Sequence, residues 1–273
     1  MLEKISPEEI FYMKEFVKTN FRWNQAAYTL YFSNKPVSLS VGIIECPNML
    51  LEDRLWLKGF NYFVKNNFHS KEFSENFICN WYETTNEHFT VIDLFIINKK
   101  SLKHCLKIKS NLFKSILGED FNYESFILQL ENQQPLEKII KHSQVLLGVL
   151  LGFGEESSIA FENHQKQKWG HFFLRTDVYA VISPTPPIDC PCEPIAFMGN
   201  PTSSEVLDLV SIYKKEMEIF WDIYQKKDPL IFFLEGICEA DIDYLPISFY
   251  SRWKSGVEFS YFVINNPLSV NFK

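Results

Sequence analysis

The stretch Phe89-Thr90-Val91-Ile92-Asp93-Leu94-Phe95-Ile96-Ile97 decides the fold class. β-Branched and aromatic side chains dominate it, and such residues favour a pleated, packed strand. Asn98 ends it. Ser101–Leu117 follows with amphipathic helical spacing and stops at Gly118, where a helix C-cap glycine belongs. Most of the other periodic segments are helical, so the expected class is α+β: a helix-rich single domain over residues 1–273 with a small antiparallel sheet.

Towards the N-terminus, Ser6-Pro7-Glu8-Glu9 is a helix start with a Ser N-cap, Pro at the first position and acids facing the positive dipole end. The apolar stripe of Ile10, Phe11, Phe16 and Val17 predicts a helix over 7–19. Ala27–Phe32 and Val37–Ile44 flank the turn-forming Ser33-Asn34-Lys35-Pro36 and read as a hairpin, with Pro36 limiting the pairing. Residues 49–68 return to helical spacing.

Towards the C-terminus, Tyr123–Leu130 reads as a short helix. Pro135 opens a second one, lined by Leu136, Ile139, Ile140, Val145 and Leu146 and ending near Gly152-Phe153-Gly154. Glu155–Gln165 resumes as another helix. Phe172–Ile182 is β-rich. Ser183–Pro194 holds five prolines and is expected to run extended over the surface, marking an internal boundary if there is one. Thr202-Ser203-Ser204-Glu205 supplies N-cap candidates for a helix reaching about Gln225. A helix over Leu230–Cys238 and a hairpin of Phe259–Val263 with Leu268–Phe272 complete the chain.

The net charge is −7, so the overall balance gives no basic face to displace counterions from nucleic acid. Lys99, Lys100, Lys103, Lys107, Lys109 and Lys114 form a local basic segment, but Glu119 and Asp120 follow it, and a solvated helix face is expected. The longest apolar run, Val145 to Gly154, is about half the length of a membrane span. Six scattered cysteines follow no framework spacing, and the N-terminus has no signal-peptide pattern. Both observations point to reduced thiols and a cytoplasmic protein, although export by a specialised secretion system needs no such signal. The chain is aromatic-rich, with 26 Phe. That surplus fits a thick core or an exposed apolar groove, and an AT-rich coding sequence would produce it without functional meaning.

Few motifs carry chemistry. Leu146–Ser157 (LLGVLLGFGEES) lacks the third glycine of a nucleotide fingerprint and is preceded by a helix rather than a strand. Gly152, Phe153, Gly154 and Glu155 are the candidates for a ligand pocket lined by a turn, while Gly148 and Gly152 together favour close helix approach. Cys190-Pro191-Cys192 lacks redox geometry, and zinc would need two more ligands, with His164 and His171 nearest. Neither a metal nor a cofactor is expected. No pair of histidines has zinc-helix spacing, and His142 and Ser143 are adjacent on a helix, so they point apart. Among the cysteines, Cys105 beside His104 on the basic helix would have the most lowered pKa, but a partly buried, inert thiol is the expectation. Asp241 and Asp243 read as a solvated turn.

A basic amphipathic helix ending in Gly, followed by LLGVLLGFGEESSIAF and later PIAFMGNPTSSEV, resembles a group of uncharacterised proteins from intracellular bacteria. The resemblance covers about residues 90–235 and rests on packing residues. It implies a bacterial source in which host-directed proteins are common, and no activity. The expected function is therefore non-catalytic protein binding through an aromatic-rich face. The alternative is a hydrolase-like enzyme with a dispersed Cys/His or carboxylate site.

Overall fold

A computed structural model describes residues 6–22, 25–43, 50–66, 71–85, 89–166, 180–182 and 194–224. The elements before the main sheet is complete are α1 (Pro7–Arg22), α2 (Ala26–Tyr31), β1 (Val37–Ile43), α3 (Leu51–Asn66), α4 (Lys71–Asn76), β2 (Phe77–Thr85) and β3 (Thr90–Asn98). Then come α5 (Lys99–Ile108), α6 (Ser110–Leu117), α7 (Tyr123–Glu131), α8 (Leu136–Ile139), α9 (Gln144–Leu150) and α10 (Glu155–Lys166). A two-stranded ribbon of β4 (Ala180–Ile182) and β5 (Phe197–Gly199) precedes α11 (Ser204–Tyr224). The class is α+β and helix-rich.

The main sheet is antiparallel in the order β1-β3-β2, which makes β3 its central strand. Both of its faces are covered. Ile92, Leu94 and Ile96 join one core with Phe16, Trp56, Phe60, Phe63, Tyr213 and Phe220. Phe95 and Ile97 join the other with Leu102, Leu106, Phe113, Phe126, Leu136 and Leu150. A strand buried on both sides needs apolar residues at nearly every position, which is why this stretch is the most legible in the chain. Gly42 serves the first core directly: a Cβ there would strike the Trp56 ring. The Trp56 indole instead donates to Ser40 Oγ at 3.1 Å.

Several expectations are corrected. Ala27–Phe32 is not a hairpin strand but falls in the helix α2, where Ala26 and Ala27 favour helix and the residues Ala26 to Leu30 are all buried. A short apolar run buried all round carries no period by which to tell helix from strand. The single helix expected over Ser101–Leu117 is two, α5 and α6, parted at Lys109. The single helix expected from Pro135 to Gly152 is also two. Lys141 and His142 take left-handed φ values of 53° and 57°, and Ser143 then caps α9 by accepting from the Leu146 amide. β2 has no counterpart among the expectations. It carries buried Asn80 in mid-strand, held by donation to the Gln134 carbonyl and acceptance from the Leu136 amide.

The starts of α1, α7, α10 and α11 are as the sequence indicates. Ser6 and Glu9 form a reciprocal capping box at α1. Ala180–Ile182 supplies the described part of the expected β-rich segment. The proline-rich loop, the helix over Leu230–Cys238 and the terminal hairpin lie outside the described residues. No helix among the described residues is long and apolar enough to cross a membrane.

Candidate binding cavity at the turn between α9 and α10

The turn Leu151–Gly154 is where the chain's most individual segment meets three other parts of the fold. Gly152 and Gly154 both have φ of +83°, a left-handed conformation that glycine adopts without strain. Gly152 is also enclosed. A Cβ there would collide with the Tyr213 hydroxyl oxygen and stand 3.2 Å from the Asn34 carbonyl. Gly148, one turn earlier, lets α10 approach α9, since a Cβ there would collide with Ser158 Oγ. The glycine spacing therefore acts as close-packing spacing, on two neighbours.

A buried polar cluster fixes the turn from behind. Lys35 is 2 % exposed, donates from Nζ to the Leu151 carbonyl at 2.7 Å, and stands 5.2 Å from the centre of the Phe153 ring. Tyr213 donates its hydroxyl to the Gly152 carbonyl. Asn34 donates from Nδ2 to Glu216 Oε1 at 2.6 Å. Burial pushes the Glu216 carboxyl up to about 8, against the opposing pull of the Asn34 hydrogen bond and the Lys35 charge. Burial likewise raises the Tyr213 phenol. Lys35, Tyr213 and Glu216 sit in the core between the turn and α11, Asn34 reaches Glu216 from the exposed side of the α2–β1 connection, and none of the four lines the cavity.

The start of α10 is held by a carboxylate from another helix. Glu205 Oε1 and Oε2 accept from the amides of Glu155 and Glu156 at 3.0 and 2.8 Å. Negative charge at a helix N-terminus is favourable because the free amides and the dipole meet it there. Lys109, at the break between α5 and α6, reaches Glu155 at 3.0 Å and Glu205 at 3.7 Å. Ser203 Oγ adds a contact to Glu156.

In front of the turn lies a cavity of about 360 Å³. Leu147, Leu151, Phe153, Phe161 and Phe197 give it an apolar wall, with Gln144 and Ala196 exposed at its mouth. Phe153 and Phe197 stack with centroids 6.0 Å apart. Ser157 and Ser158, each 2 % exposed, also line it. The Ser158 hydroxyl donates back to the Gly154 carbonyl, whereas the Ser157 hydroxyl has no hydrogen-bond partner.

Of the four turn residues singled out from the sequence, Phe153 lines this cavity. Gly152 and Gly154 shape the turn, and Glu155 is engaged with Lys109. The remaining lining residues come from α9 and its C-cap Leu151, from α10, and from β5 with Ala196 just before it. Their signal was partial: Leu147 and Leu151 stand four apart, one helical turn, but nothing in sequence brings Phe197 to them.

The other sequence candidates are placed apart from it. Cys105 is a partly buried thiol: burial drives it up to about 11, opposed by the nearby Lys109 charge, so its thiolate is suppressed. Cys79 is fully buried and raised for the same reason. In the basic segment, Lys99 pairs with Glu131 at 2.5 Å, while Lys103 and Lys107 stand over the Tyr123 ring. Ser143 is an N-cap. Asp93, Glu137 and Tyr82 face one another across β2, β3 and α8. Burial and the Glu137 charge raise Asp93, and burial, more than the carboxylates, raises Tyr82. Among the described residues no group of three His, Cys, Asp or Glu could hold a metal ion. Cys190, Cys192, His69, His88, His171, Asp241 and Asp243 lie outside the described residues. No family model, curated protein or solved structure matches the chain.

Proposed function

We propose that this is a non-catalytic binding protein whose cavity in front of the α9–α10 turn receives an apolar side chain of a protein partner. The observation that carries the reading is the composition of the wall: five large apolar side chains surround about 360 Å³ that opens past Gln144 and Ala196. Interface anchors are large apolar or aromatic groups seated in such pockets, with a polar surround that excludes water. Three groups of strongly perturbed proton affinity support the same reading. Glu216, Tyr213 and Cys79 are buried in the core, where they can hold a fold but cannot reach a substrate in the cavity. The partner is met in the cytoplasm of the producing cell, or in a host after export by specialised secretion machinery.

A photo-crosslinking residue at Ala196, on the mouth of the cavity, tests the reading in the producing cell and in a host cell. The expected result is one discrete protein adduct that Phe161→Glu abolishes while the variant keeps its circular dichroism and unfolding midpoint. An adduct indifferent to Phe161→Glu, or none, counts against a partner at this site.

A further inference from the structure

We infer that the outward face of α5 docks on the surface of an anionic phospholipid bilayer, with Lys100, Lys103 and Lys107 on the headgroups and Ile108 entering the interface. This face is separate from the cavity, since none of its residues lines it. α5 turns Ser101, Leu102 and Leu106 into the core. On its other side Lys100, His104 and Ile108 form one row at a spacing of four, and Lys103 and Lys107 form the next. All five are exposed, Ile108 by 63 %.

The lysines at the two ends of the helix are neutralised within the fold. Lys99 pairs with Glu131, and Lys109 with Glu155 and Glu205. Lys103 and Lys107 instead stand over the Tyr123 ring at 5.9 and 5.2 Å, and among the described residues neither is ion-paired. These contacts run α7 antiparallel to α5 and set Tyr123 beside the lysine rows. Glu124 accepts from the Tyr123 hydroxyl at 3.2 Å and subtracts one charge from the neighbourhood.

An anionic bilayer answers each of these features, and a basic amphipathic helix is the element that meets one. A lysine at such a surface is worth about fivefold in affinity. The attraction acts within a Debye length, about 8–10 Å. Over that range the approaching face sets the sign, so a chain of net charge −7 still docks by a basic helix. Tyrosine, with an apolar body and a polar tip, suits the headgroup level. Ile108 gains by entering the acyl boundary, as the apolar residues of interfacial helices do. A soluble acidic segment would pair with the lysines and leave Ile108 in water.

Co-sedimentation of the full chain with vesicles tests this, using phosphatidylcholine alone and an equimolar mixture with phosphatidylserine. The wild type is expected to bind the mixed vesicles, to leave them in high salt and to ignore phosphatidylcholine alone. Lys103→Gln with Lys107→Gln is expected to weaken binding about twenty-fivefold, fivefold per lysine, and Ile108→Gln about fivefold. Lys18→Gln with Lys58→Gln, which removes two exposed lysines from α1 and α3, is expected to bind like the wild type. Failure to bind the mixed vesicles overturns the inference, as does wild-type binding by either α5 variant. An equal loss in the Lys18 and Lys58 variant overturns it too, because overall charge would then be the cause. Binding of soluble polyglutamate in place of the vesicles would assign the face to an acidic protein segment instead.

Discussion

The Tyr213 hydroxyl donates to the Gly152 carbonyl at 2.5 Å, joining α11 to the turn whose flanking residues, Leu151 and Phe153, form one wall of the cavity. The cavity's shape thus depends on a contact made behind it. Tyr213→Phe leaves a buried carbonyl short of its donor and is expected to destabilise the protein by about 1–3 kcal/mol. Gly152→Ala adds a Cβ against that same hydroxyl, at a left-handed φ, and is expected to lose more, roughly 2–4 kcal/mol. Urea unfolding checks both: the midpoint falls while the slope is kept.

Glu216 gives the fold a pH dependence of definite sign. Its folded carboxyl holds its proton up to about pH 8, while the unfolded carboxyl releases it near the ordinary 4.5. A raised carboxyl contributes stability that is fully present below the unfolded value and is lost as pH rises through the folded one. Glu216→Gln cannot ionise and keeps an acceptor for Asn34. Relative to wild type it is expected to gain on the order of 3 kcal/mol between about pH 5 and pH 8. Asp93, raised in the same direction, cancels in that difference. Chemical denaturation at matched ionic strength measures it, and a constant difference across the range would contradict the assignment.

Gly148→Ala is expected to push α10 off α9, because the new Cβ meets Ser158 Oγ and Cβ rather than open space. The predicted loss is about 1–3 kcal/mol. Ser158→Gly in the same chain should recover part of it, and non-additivity in the double variant is the check.

Ser157→Ala is expected to raise the stability of the free protein by about 0.5–1 kcal/mol, since alanine is the better helix former and no buried hydroxyl is left unpaired. Thermal unfolding would show the midpoint rising. A fall would mean that the hydroxyl has a partner in the folded chain.

Cys105 is expected to be a slow thiol. Raising its pKa from 9.0 to about 11 lowers the thiolate fraction near neutrality about a hundredfold. Alkylation followed by site-resolved mass spectrometry should find Cys105 modified at least that much more slowly in the native chain than in urea. Cys105→Ala should accordingly leave partner binding intact.

The parts of this fold that were legible in sequence are those where local signals and burial agree. The central strand β3 announces itself because both faces are buried, and α1 because Ser6 and Glu9 cap it reciprocally. α2 was not legible, because Tyr28, Thr29 and Tyr31 are β-prone and the burial of Ala26 to Leu30 leaves no helical period to read. The break before α9 had a signal that periodicity overrode: Ser143 is a capping residue in the polar stretch Lys141–Gln144 between two apolar pairs. Of the cavity, the turn with Phe153 was visible, and so was the helix-packing role of Gly148. Phe197, Asn34 and the buried Lys35 and Glu216 come from distant chain, where no spacing rule reaches.

The most direct measurement is an amide-resolved NMR titration of the wild type and of Ala196→Trp with N-acetyl-tryptophanamide. If the cavity takes a partner's side chain, shifts in the wild type cluster on Leu147, Leu151, Phe153, Phe161 and Phe197. In Ala196→Trp, whose own indole stands at the mouth, they are lost. Shifts scattered over exposed apolar residues elsewhere, such as Ile108 and Leu128, or a titration indifferent to Ala196→Trp, would contradict binding at this site.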